Sequence, residues 1–116
     1  MSVQTDFVAL VSGAVAGRAY PAGTASTVTP YITYSRITAI EQATLDANGG
    51  TGNLINTRLQ IDVWAASYGA AQSTAAAVKA ALKGWSNENI VLSEEDGFEP
   101  DTKLHRVMLD TSIWHL

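Results

Sequence analysis

The chain has no cysteine. That excludes a disulfide framework, a thiolate zinc site and a cysteine nucleophile. Charge is scarce: 16% of residues are charged, against ~25% in typical soluble domains. A surface so poor in charge suits one that is partly covered by other protein. There are two histidines, His105 and His115. On one strand they would stand ~33 Å apart, too far to share a site. No apolar run approaches the ~18 residues of a membrane span. The start Met1-Ser2-Val3-Gln4-Thr5-Asp6 lacks the positive charge that opens a signal peptide, so the chain is expected to be made and folded in a cytoplasm. The net charge is −4 and the isoelectric point near 4.9. An acidic balance argues against a nucleic-acid-binding surface, which needs a basic patch.

What is present is a chain of 116 residues, 47% of them hydrophobic. That composition folds, and the length fits a single domain spanning residues 1–116. Its core is modest, so contact with copies or partners would add useful stability.

Thr5 to Ala16 reads as a helix capped by Thr5, with Asp6 in the first turn and a stripe of Val8, Val11 and Val15 widened by Phe7 and Leu10. Gly17 suits its end. Arg18-Ala19-Tyr20-Pro21 reads as a short edge strand that the proline closes. Ala22 to Pro30 is loop. Tyr31 to Ile40 is rich in β-branched and aromatic residues and predicts a strand.

Leu54 to Ala65 is the clearest strand. Thr57, Leu59, Ile61 and Val63 alternate with Arg58, Gln60, Asp62 and Trp64, and the first set should face the core. Ser67 should cap a second helix that ends near Lys83, with Ala71, Ala75, Val78 and Leu82 as its inner stripe and Gly84 as its stop. Asn89 to Ser93 predicts a short strand. Glu94 to Thr102 reads as an acidic connection turned by Asp96-Gly97 and Pro100. Leu104 to Trp114 alternates again, with apolar residues on both faces.

The order is helix, strands, helix, strands. It predicts an α+β domain: an antiparallel-dominated sheet with two helices on one face. The two long strands, at ~3.3 Å per residue, are as long as a compact body of this size is wide. They form a long hairpin whose tip, Glu41 to Asn53 with Asn48-Gly49-Gly50 in it, is either a projecting arm or a loose loop.

No residue pattern names an enzyme. A nucleophile needs a base and an orienting group, and neither histidine has that company. His105 reads better as a half-exposed strand histidine than as a base. Metal ligands are not clustered. Gly49-Gly50-Thr51-Gly52 lacks the Lys-Ser/Thr and the helix of a phosphate loop. The acidic run Glu88, Glu94, Glu95, Asp96, Glu99 and Asp101 does not have the alternation of a calcium loop. It is either a solvated loop or a docking surface for a basic partner. Trp64 stands among polar neighbours on the face away from the core, which makes it an interface candidate.

Four segments give the chain a family likeness. They are Gly17-Arg18-Ala19-Tyr20-Pro21 after the first helix, Pro30-Tyr31-Ile32-Thr33-Tyr34-Ser35-Arg36-Ile37, Arg58-Leu59-Gln60-Ile61-Asp62-Val63-Trp64-Ala65 leading into an Ala-rich helix, and Arg106 to His115. In this order they resemble the tail completion proteins of long-tailed bacteriophages, also called tail terminators or tail-to-head joining proteins. The Gln-Ile-Asp-Val-Trp segment is the most distinctive.

The resemblance implies a structural protein, not an enzyme, with no cofactor and no metal. It implies a homo-oligomer, usually a hexameric ring, on the head-proximal end of the tail tube. There the ring ends tube growth and joins tail to head. The implied partners are the tail tube protein and the head-tail connector protein, with DNA passing through the ring unbound and no membrane involved. The implied place is the virion, with assembly in the host cytoplasm. Within that reading the expected interface residues toward neighbour or tube are Arg36, Glu41, Asp46, Asn48, Asn53, Arg58, Asp62 and Trp64. The alternatives are a head-completion adaptor on the connector side and a small non-enzymatic binding module of a bacterial cell.

Overall fold

The computed structural model describes residues 3–15, 17–23, 28–42 and 54–115. Two helices and five strands follow in the order α1 (Val3–Val11), a 3-10 turn (Ser12–Ala14), β1 (Ala19–Pro21), β2 (Tyr31–Gln42), β3 (Leu54–Ala65), α2 (Tyr68–Lys83), β4 (Asn89–Glu99) and β5 (Leu104–His115). The strands form one sheet in the order β1-β2-β3-β5-β4. Only β1 and β2 run parallel; the other neighbours are antiparallel. This is the expected α+β class, long hairpin included.

The hairpin of β2 and β3 pairs from Tyr31↔Trp64 to Gln42↔Leu54. β5 runs beside β3 from Ala65↔His105 to Ile55↔His115. Strands of 12 residues reach ~40 Å, and the molecule is accordingly elongated, 52 × 22 × 21 Å with a radius of gyration of 15.2 Å. The tip beyond β2 and before β3, with Asp46, Asn48 and Asn53, lies outside the described residues.

Alternation decides the two faces of the sheet. Thr57, Leu59, Ile61 and Val63 of β3 are buried under the helices, as are Val107, Leu109, Thr111 and Ile113 of β5. α2 lays Ala71, Thr74, Ala75, Val78 and Leu82 onto them. Its alanine-rich stripe lets the helix approach closely. Ser67 caps it, its hydroxyl accepting from the Ala70 amide at 3.1 Å. Gly84 ends it at an ordinary negative φ of −85°, so the stop needs no left-handed residue.

The first helix departs from expectation. It begins at Val3, which places Thr5 inside it, and α-helix ends at Val11. The Ser12 hydroxyl donates to the Ala9 carbonyl at 3.2 Å, and Gly13 follows. Both weaken continued α-helix, so the chain tightens into a 3-10 turn and reverses at Gly17, where φ is +83°. The buried stripe is Val3, Phe7, Val11 and Val15, with Val8 at its margin. Phe7 meets the Tyr34 ring edge-on at 5.7 Å.

The acidic segment is the larger correction. Glu94 to Glu99 continue β4, and Asp96-Gly97 is not a turn. The hairpin turn lies after Glu99, where the Lys103 amide donates to the Glu99 carbonyl at 2.7 Å. A bulge between Val91 and Ser93 shifts the alternation of β4. Beyond it Glu94 reaches Lys79 at 2.8 Å, and Asp96 accepts from Gln72 at 2.8 Å and from the Tyr68 hydroxyl at 3.1 Å. The run is mostly strand rather than loop, and two of its six acids, Glu94 and Asp96, fasten this edge strand to α2.

Candidate assembly surface

The face of the sheet away from the helices has no covering layer among the described residues. β3 presents Arg58, Gln60, Asp62 and Trp64 there. β5 adds Arg106, Met108, Asp110, Ser112 and Trp114, and β2 adds Tyr31, Thr33 and Ser35.

These side chains are laced to one another. The Trp64 ring stacks on Tyr31 at 6.1 Å and 15°. The Arg106 guanidinium lies over the Trp64 ring. The Trp64 indole N–H donates to the Thr33 hydroxyl at 3.0 Å. Arg106 also pairs with Asp62 at 3.1 Å and approaches Glu99 at 3.7 Å. Further along, Arg58 pairs with Asp110, and Asn56 donates to the Ser112 hydroxyl at 2.7 Å. Polar atoms in this layer still have unused capacity: Arg58 Nε, Arg106 Nε and Asp110 Oδ1 are buried without a partner.

The expected site residues therefore separate. Arg58, Asp62 and Trp64 share the helix-free face. Asp62 is buried and Trp64 half-buried, so Trp64 is not a free anchor but the centre of a stack. Arg36 lies opposite Leu59, on the helix side of the sheet, where neither helix covers it and it is exposed. Glu41 lies on β2 opposite Ile55. Asp46, Asn48 and Asn53 lie outside the described residues. The reading of single residues missed Arg106, the residue that holds the patch together. Its parity on β5 was legible; its reach across to Trp64 and Asp62 was not.

A shallow groove of about 190 Å³ lies between Ile37, Gln60, Ser93, Glu95, Met108 and Asp110. That is below the ~300–1,000 Å³ usual for small-molecule sites. His105 is wedged between the rings of Phe98, at 5.0 Å, and Tyr68, at 6.2 Å. His115 shares a 2.8 Å hydrogen bond with Thr57. Among the described residues no three potential ligands gather around a metal position, and no helix is long and apolar enough to cross a membrane.

One face of the sheet thus lies under helices, and the other is an interlocked layer of arginine, carboxylate and aromatic groups. The family model described as Tail completion protein gp17 matches residues 6–116, and the chain belongs to that family. Among solved structures, a chain in the virion of a native gene transfer agent particle has the same fold. The TM-score is 0.62 at 19% identity, over 91% of this chain and 84% of that one. No curated protein matches the sequence.

Proposed function

We propose that the chain forms a ring, of six copies, on the head-proximal end of a phage tail tube, where it ends tube growth and joins tail to head. The observation that carries this reading is the family match across residues 6–116. The virion origin of the structural relative favours the same setting. In this reading the protein acts through contact alone, without catalysis or cofactor. It is assembled in the host cytoplasm and retained in the virion, with the tube protein on one side, the connector on the other, and DNA passing unbound.

The helix-free face is the surface offered to the tube. Arg58, Asp62 and Trp64 are already held by Asp110, Arg106 and Tyr31, so little side-chain freedom is lost when a partner covers them. In this reading Glu41 at the end of β2, and Asp46, Asn48 and Asn53 between β2 and β3, contact the neighbour or the tube.

The test is mass by light scattering, for the chain alone and with purified tail tubes, followed by electron microscopy of the tube ends. A ring capping one end is expected. Binding to connector instead of tube would replace this reading with a connector-side adaptor. A tight dimer indifferent to both would replace it with a cellular binding module. Trp64→Ala and Arg58→Glu should each reduce capping; if both cap normally, the face is wrongly assigned.

A further inference from the structure

Apart from Tyr68 at the start of α2, the large apolar side chains that the fold leaves exposed are not scattered. Ile37 and Ile40 lie on β2 beyond the short stretch that β1 covers, with Val28 just before that strand. Ile90, Leu92 and Phe98 lie on β4. Each is about half exposed (45–55%). Among the described side chains, the central strands β3 and β5 carry none. The exposed apolar surface thus sits on the two opposite edges of the sheet.

The edges also differ in charge. β4 and the turn after it hold Glu94, Glu95, Asp96, Glu99 and Asp101. On the other side, Arg18 precedes β1 and Arg36 stands on the uncovered part of β2, with one acid, Glu41, near the far end of that strand. Lys79 engages Glu94 and Arg106 approaches Glu99. Arg36 and Glu95 make no ion pair among the described residues.

The two edges match in height as well. β2 bulges between Arg36 and Thr38, and β4 bulges between Val91 and Ser93. Arg36 pairs with Leu59, Leu59 with Thr111, and Thr111 with Val91, so both bulges fall at one level of the sheet. Ile37 and Leu92 are the bulged residues. A bulge twists an edge away from continuous main-chain pairing and protects it against open-ended strand addition. Contact between two such edges is therefore made by side chains.

We infer that copies of this chain meet edge to edge, the apolar and acidic β4 edge of one against the apolar, arginine-bearing β1–β2 edge of the next. The occupant is a second copy, because one edge supplies what the other lacks. β4 against its own counterpart would set acid against acid. A heterologous contact of this kind repeats from copy to copy and closes into a ring when the rotation suits. The inference rests on the ring reading and adds the surfaces that meet. Arg36 stands on the helix side of its edge and Glu95, opposite Met108, on the helix-free side of the other, so the contact spans the thickness of the edges and borders the face offered to the tube.

The experiment is a charge exchange on each edge, Arg36→Glu or Glu95→Arg, as two variants and as their equimolar mixture. Both residues are exposed, and circular dichroism should show both variants folded. Self-association is measured by sedimentation at low and high salt. Each variant should weaken it by about tenfold, the mixture should recover pairwise association to within about threefold because each copy still carries one intact edge, and added salt should weaken the wild type. Variants that associate normally, or a mixture no better than either variant alone, would overturn the edge contact. Tube capping separates the two levels. If the wild type caps tubes while the exchange has no effect, the edges are wrong and the completion reading stands. If the wild type neither associates nor caps, both fall.

Discussion

The Arg106 guanidinium lies 5.0 Å from the centre of the Trp64 ring. It comes from the neighbouring strand, directly opposite in the register. One residue thus satisfies two needs at once: a cation over an aromatic face and a partner for the buried Asp62 carboxylate.

Removing that residue should be costly. Arg106→Ala strips the cover from Trp64 and leaves Asp62 buried without its cation, an arrangement worth about 2–4 kcal/mol. Arg106→Lys keeps the charge but not the planar fork, and should lose about half as much. Urea unfolding followed by tryptophan fluorescence measures both.

The Ser67 cap should be separable from everything else. Ser67→Ala removes the acceptor for the Ala70 amide and should lower stability by about 1 kcal/mol. Ser67→Asp supplies an acceptor again and a favourable charge at the helix start, and should match the wild type. The urea midpoints of the two variants make the comparison.

Lys103 holds a left-handed backbone, φ +58°, in the turn between β4 and β5. A side chain there costs about 1 kcal/mol that glycine avoids. Lys103→Gly should therefore raise stability by roughly 0.5–1 kcal/mol, read as a shift in thermal midpoint. Gly17→Ala, at φ +83°, should act in the opposite sense.

The Tyr68 phenol titrates above its ordinary value of 10.0, because its hydroxyl donates to Asp96 and the Asp96 charge opposes a second negative charge beside it. The sign follows from a folded value above the unfolded one. The contribution is fully present below pH 10 and is lost as pH rises through the folded value. Asp96→Asn should bring the phenol back toward its ordinary range. Ultraviolet difference absorbance during alkaline titration follows both forms.

Much of this architecture is readable from residue order, for identifiable reasons. The alternation from Leu54 to Ala65 is unbroken, and β3 has those bounds. Ser67, the alanine stripe and Gly84 delimit α2 because each acts within a turn of itself. Local preference misleads where a distant contact outweighs it. Asp96-Gly97 has the composition of a turn, yet Tyr68 and Gln72 hold Asp96 in a strand. Trp64 is placed on the correct face by parity alone. That Tyr31 and Arg106 enclose it depends on register between three strands, which no single segment carries. Arg36 shares parity with Ile32 and Tyr34, hence the helix side, and its exposure depends on how far the helices reach.

The strand order has a consequence for the chain as it is being made. β5 is the last strand in sequence and an interior strand in space. Until it leaves the ribosome, β3 has only β2 beside it, and β4 has no partner at all. The Trp64–Arg106 stack and the pairing of β4 therefore arrive last, with β5, and a chain that ends before it has neither.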